Sequence, residues 1–260
     1  MITTVLFDMG GTLEDIVHSK ATELECGTKL LAYFKKQGME LQMSPEEFME
    51  MAGGGHRAYR SWADKNLKEL MPYEVWSEWK LKGVSVDRDK LRAISERISY
   101  LWDITYYKRS LRSDAKELLE VLRAHGYRMG IISNTPSLTQ VYRMLDEYGI
   151  KNYFEVVTLS SISGYKKPSR TLFDITLADM DAKPEEAVYV GDTVSRDVMG
   201  SRNAGLALSI RINSALTESS DYDLGSRSAD ADYVIKDLIE IFDILEKFNN
   251  KGRGGYKNES

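Results

Sequence analysis

The chain of 260 residues has a single cysteine, Cys26. One thiol excludes an internal disulfide and a cysteine-rich metal centre. Cys26 lies within a helical pattern and reads as a small core or boundary residue. Long apolar runs are also missing, and no stretch approaches the ~20 residues that span a bilayer. There is no basic excess: the formal net charge is −5, which leaves no electrostatic footprint for nucleic acid. Internal repeats and low-complexity tracts are absent. A strand pattern begins by about residue 3, without the charged and then apolar segments of a signal peptide. The resulting expectation is a cytoplasmic globular protein, monomer or homodimer, with no nucleic-acid or membrane partner. Its length suffices for one or two domains with a full core.

What is present begins with residues 3–13, TTVLFDMGGTL. Val5, Leu6 and Phe7 read as a buried strand that ends in Asp8, followed at once by the turn Gly10-Gly11-Thr12. A carboxylate at the carboxyl end of a buried strand stands where open α/β sheets place their chemistry. Residues 14–19 read as a hinge. From 16 to 110 the apolar spacing is helical, with no convincing strand. Ser44-Pro45-Glu46-Glu47 is a helix start with a capping box, and 73–82 and 86–108 read as further helices. All four tryptophans, Trp62, Trp76, Trp79 and Trp102, fall in this segment and suggest a helical bundle with an aromatic core. Gly53-Gly54-Gly55 interrupts the pattern. Three consecutive glycines are costly in a helix, so a loop or bent junction is expected there, carrying His56 and Arg57.

After residue 110 the rhythm is helix–strand alternation. Strands are expected at 127–132, 154–158, 187–191 and 206–211, with a short last one at 233–235, and an amphipathic helix at 237–248. The polar stretch 213–230 reads as a surface loop and the tail 249–260 as disordered. Such alternation implies a doubly wound parallel sheet, an α/β fold, with a helical segment inserted after its first strand. The expected division is a core of 1–15 and 111–248 with an inserted helical cap of 16–110.

The strand ends carry Asp8, Ser133 and Asp192, and one loop carries Lys166-Lys167-Pro168. All should gather at one sheet edge. Asp8, Asp192 and Asp197 form an oxygen-rich set suited to Mg²⁺. Ser133, before a helix, suits a phosphate oxygen, and Lys167 would neutralise charge on that anion and on Asp8. Lys166 competes for this role, but the residue beside Pro168 fits better. A cation, a lysine, a hydroxyl and a carboxylate nucleophile suit phosphoryl transfer through an aspartyl-phosphate.

The stretches VLFDMGGTL, IISN, GYKKP and VYVGDTVSRD, in this order, resemble the haloacid dehalogenase superfamily, and the resemblance covers nearly the whole chain. It implies Asp8 as nucleophile, Lys167 as the third-motif lysine, and Ser133 as phosphate binder. Gly11, Thr12 and Asn134 fall beside these as further phosphate contacts. It also implies Asp8, Asp192, Asp197 and the Gly10 carbonyl as the Mg²⁺ site. The expected function is Mg²⁺-dependent hydrolysis of a small anionic phosphorylated metabolite.

One departure stands out. Phosphatases of that superfamily usually carry a second Asp, a general acid and base, where this chain has Gly10. Proton-transfer groups contribute ~10²–10⁴-fold. Four readings follow: a phosphatase using a good leaving group, substrate assistance or another acid, with Glu14, Asp15 and His56 as candidates; a phosphonoacetaldehyde-hydrolase-like enzyme with a cap lysine; a 2-haloacid dehalogenase, disfavoured because both fourth-motif acids are kept; or a catalytically weak or silent binding protein. The segment 16–110 carries two more basic than acidic residues, which mildly suits an anionic substrate. His56 and Arg57, followed by Tyr59 and Arg60, are its candidate phosphate or carboxylate contacts.

Overall fold

Strand β1 (Thr4–Phe7) is buried along its whole length, which its unbroken apolar sequence requires. Val5 and Phe7 belong to the core on one sheet face, while Leu6 belongs to the core on the other. The computed structural model describes residues 1–214, 221 and 231–254. In it β1 lies inside a six-stranded parallel sheet, flanked by β4 (Arg128–Ser133) and β6 (Ala187–Gly191). The helical region between β1 and β4 contributes β2 (Glu14–Val17), α1 (Lys20–Lys36), α2 (Pro45–Asn66), α3 (Pro72–Glu74), α4 (Arg88–Tyr106) and β3 (Lys108–Leu111). The core continues through α5 (Ala115–Ala124), α6 (Gln140–Glu147), β5 (Val156–Leu159), α7 (Ser160–Ser163), α8 (Arg170–Asp179), α9 (Met199–Asn203), β7 (Leu208–Ile212) and β8 (Tyr233–Ile235). The sheet order is β5-β4-β1-β6-β7-β8. Phe7 is in register with Ile131 on one side and Val190 on the other. The carboxyl ends of β1, β4 and β6 therefore share one edge. No helix among the described residues is long and apolar enough to cross a membrane.

The stretch 16–110 is not wholly helical. β2 and β3 pair antiparallel, Glu14 with Leu111 and Val17 with Lys108, as a two-stranded ribbon where the chain leaves and re-enters the sheet layer. The pairing joins residues about a hundred positions apart, so no local pattern announces it. Between them the helices enclose their own apolar core, with Cys26, Leu30, Phe34, Phe48, Trp76 and Trp102. Burial pushes the Cys26 thiol up to about 12, consistent with a packing role. Trp62 and Trp79 lie apart from this core, half-buried against Tyr59 and Val75.

The expected break at Gly53–Gly55 is absent, and α2 runs through all three. The physical reason is a close approach. A Cβ on Gly55 would lie 2.2 Å from the Trp79 carbonyl oxygen, so only glycine lets α2 pack against the π-helical turn Val75–Lys80. Gly55→Ala should destabilise the protein by about 1–3 kcal/mol. Gly53→Ala, whose Cβ meets only the Arg57 side chain at 3.5 Å, should gain up to about 1 kcal/mol of helix propensity. Urea unfolding of both variants checks this; equal effects would remove the packing explanation.

The last helix, Glu240–Gly254, overruns its expected end. Asn249 is buried in it and clamps the N-terminal residues: its Oδ1 accepts from Ile2 N at 2.7 Å and its Nδ2 donates to Ile2 O at 3.0 Å. Residues 249–254 are thus helical rather than disordered, and 255–260 lie outside the described residues. Of the polar stretch 213–230, residues 213, 214 and 221 are described.

Candidate active site

Asp8 follows β1 directly, its N–H donating to Val190 O at 2.9 Å. Its Oδ1 accepts from Met9 N at 2.7 Å, which fixes the carboxylate at the strand end. Lys167 Nζ lies 3.0 Å from the same oxygen. That ammonium, 1% exposed, also donates to Asp197 Oδ1 and Tyr189 OH, each at 2.7 Å. Asn134 holds the lysine's backbone in turn: its Oδ1 accepts from Lys167 N at 2.9 Å and its Nδ2 donates to Lys167 O at 3.2 Å. Lys166, the competing candidate, makes no ion pair with Asp8 and pairs instead with Asp64 at 2.8 Å.

The fourth-motif acids differ in environment. Asp197 Oδ2 accepts from Asp192 N, Thr193 N and Thr193 Oγ1 at 3.2, 2.9 and 2.6 Å. Burial opposes its charge, but Lys167 and Arg196 prevail and hold its carboxyl below the usual range. Asp192 accepts from Ser214 Oγ at 2.5 Å. Burial, then the charges of Asp197 and Asp8, push it up to about 7. Burial likewise raises Asp8, with Lys167 opposing. Asp8, Asp192 and Asp197 each offer an oxygen, all within 4.8 Å of one another. Three buried carboxylates at this spacing repel, and hard oxygen donors so placed fit a divalent cation such as Mg²⁺.

Gly11 makes the crowding possible. It has φ +83°, and a Cβ there would lie 2.3 Å from Asp192 Oδ2. Gly11 and the fully buried Thr12 therefore shape the loop from behind and are not on the cavity wall. Asp8, Gly10, Ser133, Asn134 and His56 do line one cavity, together with Tyr59, Arg60, Glu69, Asp103, Arg109, Gln140, Lys166 and Arg196. Arg57 is exposed and does not. Burial, then Lys80 and Arg60, hold the His56 imidazole well below its ordinary pKa. None of the lysines of residues 20–106 lines the cavity. The buried Lys80 amine, pushed down to about 7 by desolvation, lies over the Trp102 ring instead.

Two of the acids weighed as substitutes for the one missing at position 10 do not line the cavity. Glu14 is fully buried, accepting from Arg109 Nη1 at 2.7 Å and Tyr148 OH at 3.0 Å. Asp15 is exposed and pairs with Arg112.

Several site residues had no motif to reveal them. Arg109, Asp103, Glu69 and Gln140 come from four separate segments and meet only through the fold. Ser214 and Asp221 reach in from the polar stretch, Asp221 accepting from Val194 N and Ser195 N at 2.7 and 3.0 Å. The helical region is tied to the loop after β4 by Glu96, which accepts from Ser137 Oγ, Leu138 N and Thr139 Oγ1 at 2.8, 2.8 and 2.7 Å. It is tied to α7 by Glu69, which bonds Tyr59 OH and accepts from Ser160 Oγ at 2.9 Å.

A parallel α/β core thus gathers a carboxylate, a buried lysine and two further acids at one sheet edge. The family model for haloacid dehalogenase-like hydrolases matches residues 2–205, and the chain belongs to that family. It is 26% identical over 249 residues to a glyceraldehyde 3-phosphate phosphatase of Methanopyrus kandleri, covering 95% of this chain and 98% of that one. It is 36% identical over 124 residues to the Methanothermobacter thermautotrophicus protein of the same name, a match spanning 48% of this chain and only 54% of that relative's length. Among solved structures, a HAD phosphatase from Thermococcus onnurineus superposes with a TM-score of 0.58 at 25% identity, over 94% of this chain and 98% of that one.

Proposed function

We propose that the protein is a Mg²⁺-dependent phosphatase acting on a small phosphorylated metabolite through an aspartyl-phosphate on Asp8. The observation that carries the reading is the ion pair of Lys167, buried between Asp8 and Asp197, with an Asp8 that lines one cavity together with Ser133 and Asn134. A cavity of about 130 Å³ suits a small metabolite, and the relatives named as glyceraldehyde 3-phosphate phosphatases lend support. Residues 16–110 act as a cap that excludes water from the site. The cation would be held by Asp8, Asp192 and the Gly10 carbonyl, with Asp197 ligating through water or orienting its neighbours. Bound there, it supplies positive charge against the phosphoryl oxygens.

Asp8 attacks phosphorus and the leaving oxygen departs with the bond pair. Ser133 and the N–H groups of the following loop bind the phosphoryl oxygens, and Lys167 offsets their charge. Water then hydrolyses the acyl phosphate, regenerating Asp8 and releasing phosphate. The reading predicts turnover of p-nitrophenyl phosphate that is lost in EDTA and restored by added Mg²⁺. No turnover from folded protein on this ester or a panel of sugar phosphates would sink it.

A further inference from the structure

The space beside Gly10 is occupied. A Cβ on residue 10 would lie 3.0 Å from Ile16 Cδ1 and 3.2 Å from Arg109 Nη1. The position two residues after Asp8 that could hold an acid thus faces a guanidinium and, at 3.9 Å, the Glu14 Oε2 that pairs with it. Arg109 is rigidly held: Nη1 donates to Glu14 Oε2 at 2.7 Å and Nε donates to Asp103 O at 3.2 Å. Glu14 is itself anchored by Tyr148 OH. These bonds use Nη1 and Nε. The guanidinium has five N–H donors, and Arg109 lines the cavity that Asp8 and Gly10 also line.

We propose that Arg109 binds the leaving-group oxygen, so that the enzyme stabilises a departing oxyanion instead of protonating it. The inference rests on the phosphatase reading above. A fixed cation in a dry site lowers the energy of developing negative charge without proton transfer. In the first step the Asp8 oxygen forms a bond to phosphorus, the P–O bond to the leaving group breaks, and its electron pair stays on that oxygen beside Arg109. The leaving group takes a proton from water after it departs. In the second step water adds to phosphorus, the Asp8 carboxylate leaves, and the surplus proton neutralises the hydroxide from the first. The preferred substrates are accordingly phosphate esters whose leaving oxygen tolerates negative charge.

Rates for a series of aryl phosphates of graded leaving-group acidity, plus one alkyl phosphate, test this. The variants are Arg109→Lys, which keeps a partner for Glu14, and Arg109→Gln combined with Glu14→Gln, which removes the Glu14 charge together with its partner. Expected is a steeper dependence on leaving-group acidity in both, with the alkyl ester losing about 10²-fold or more and p-nitrophenyl phosphate about 10-fold or less. A purely structural role would lower every substrate by the same factor. Turnover by the wild type with an unchanged slope in the variants overturns the assignment of Arg109 alone. No turnover by the wild type on any ester overturns the phosphatase reading and this inference together.

Discussion

Asp8→Asn should abolish turnover, lowering kcat by about 10⁴-fold or more, while leaving the fold intact. Nucleophile deletions cost rates of this order because the chemical step has no substitute path. The amide keeps the shape of the carboxylate and can still accept from Met9 N, as Asp8 Oδ1 does at 2.7 Å. It also removes one of three crowded negative charges. Because burial already disfavours the ionised form of Asp8, replacing it with a neutral group should change stability by no more than about 1 kcal/mol. Steady-state rates together with urea unfolding separate the two effects. Retained activity in a folded variant would exclude Asp8 as the nucleophile.

Lys167→Met should damage both activity and stability. The ammonium contacts Asp8, Asp197 and Tyr189 OH at 3.0, 2.7 and 2.7 Å and is almost wholly buried. Its removal leaves two buried carboxylates without their shared counter-charge, with Asp192 close by. Breaking a buried ion pair by deleting one partner costs about 3–5 kcal/mol. Loss of a cation facing the transferred phosphoryl group costs about 10²–10³-fold in kcat. Adding Asp197→Asn should return about 0.5–3 kcal/mol of the stability, because the uncompensated charge is then smaller. Recovery of activity is not expected, since the lysine's charge at the phosphate is still missing. A Lys167→Met protein as stable as the wild type would show that the buried pair contributes nothing net.

The motif residues were legible because each combines a strong local signal with a strand end. Asp8, Ser133 and Asp192 close apolar runs, and parallel strands bring their carboxyl ends to one edge whatever the loops do. Lys167 was separable from Lys166 by its place beside Pro168. Their distinct environments, one between two carboxylates and the other on Asp64, are tertiary facts. The Gly53–Gly55 expectation failed for a related reason. Glycine lowers helix propensity locally, but the requirement at Gly55 comes from the Trp79 backbone, 24 positions away. Arg57 looked like a partner of His56, yet neighbours on a helix point to different faces, and only His56 reaches the cavity.

The sequence by itself determined the parallel α/β architecture, the helical segment after the first strand, and the acids, hydroxyl and lysine that meet at the sheet edge. Periodicity and strand-end punctuation are local properties, and parallel topology converts them into position. Only the tertiary structure decided what stands opposite them. The ribbon of β2 and β3, the placement of Arg109 beside Gly10, the pairing of Glu14 with Arg109 and the clamp of Asn249 on Ile2 all join residues far apart in the chain. Such contacts depend on how whole elements pack, because close packing fixes which distant side chains share a space.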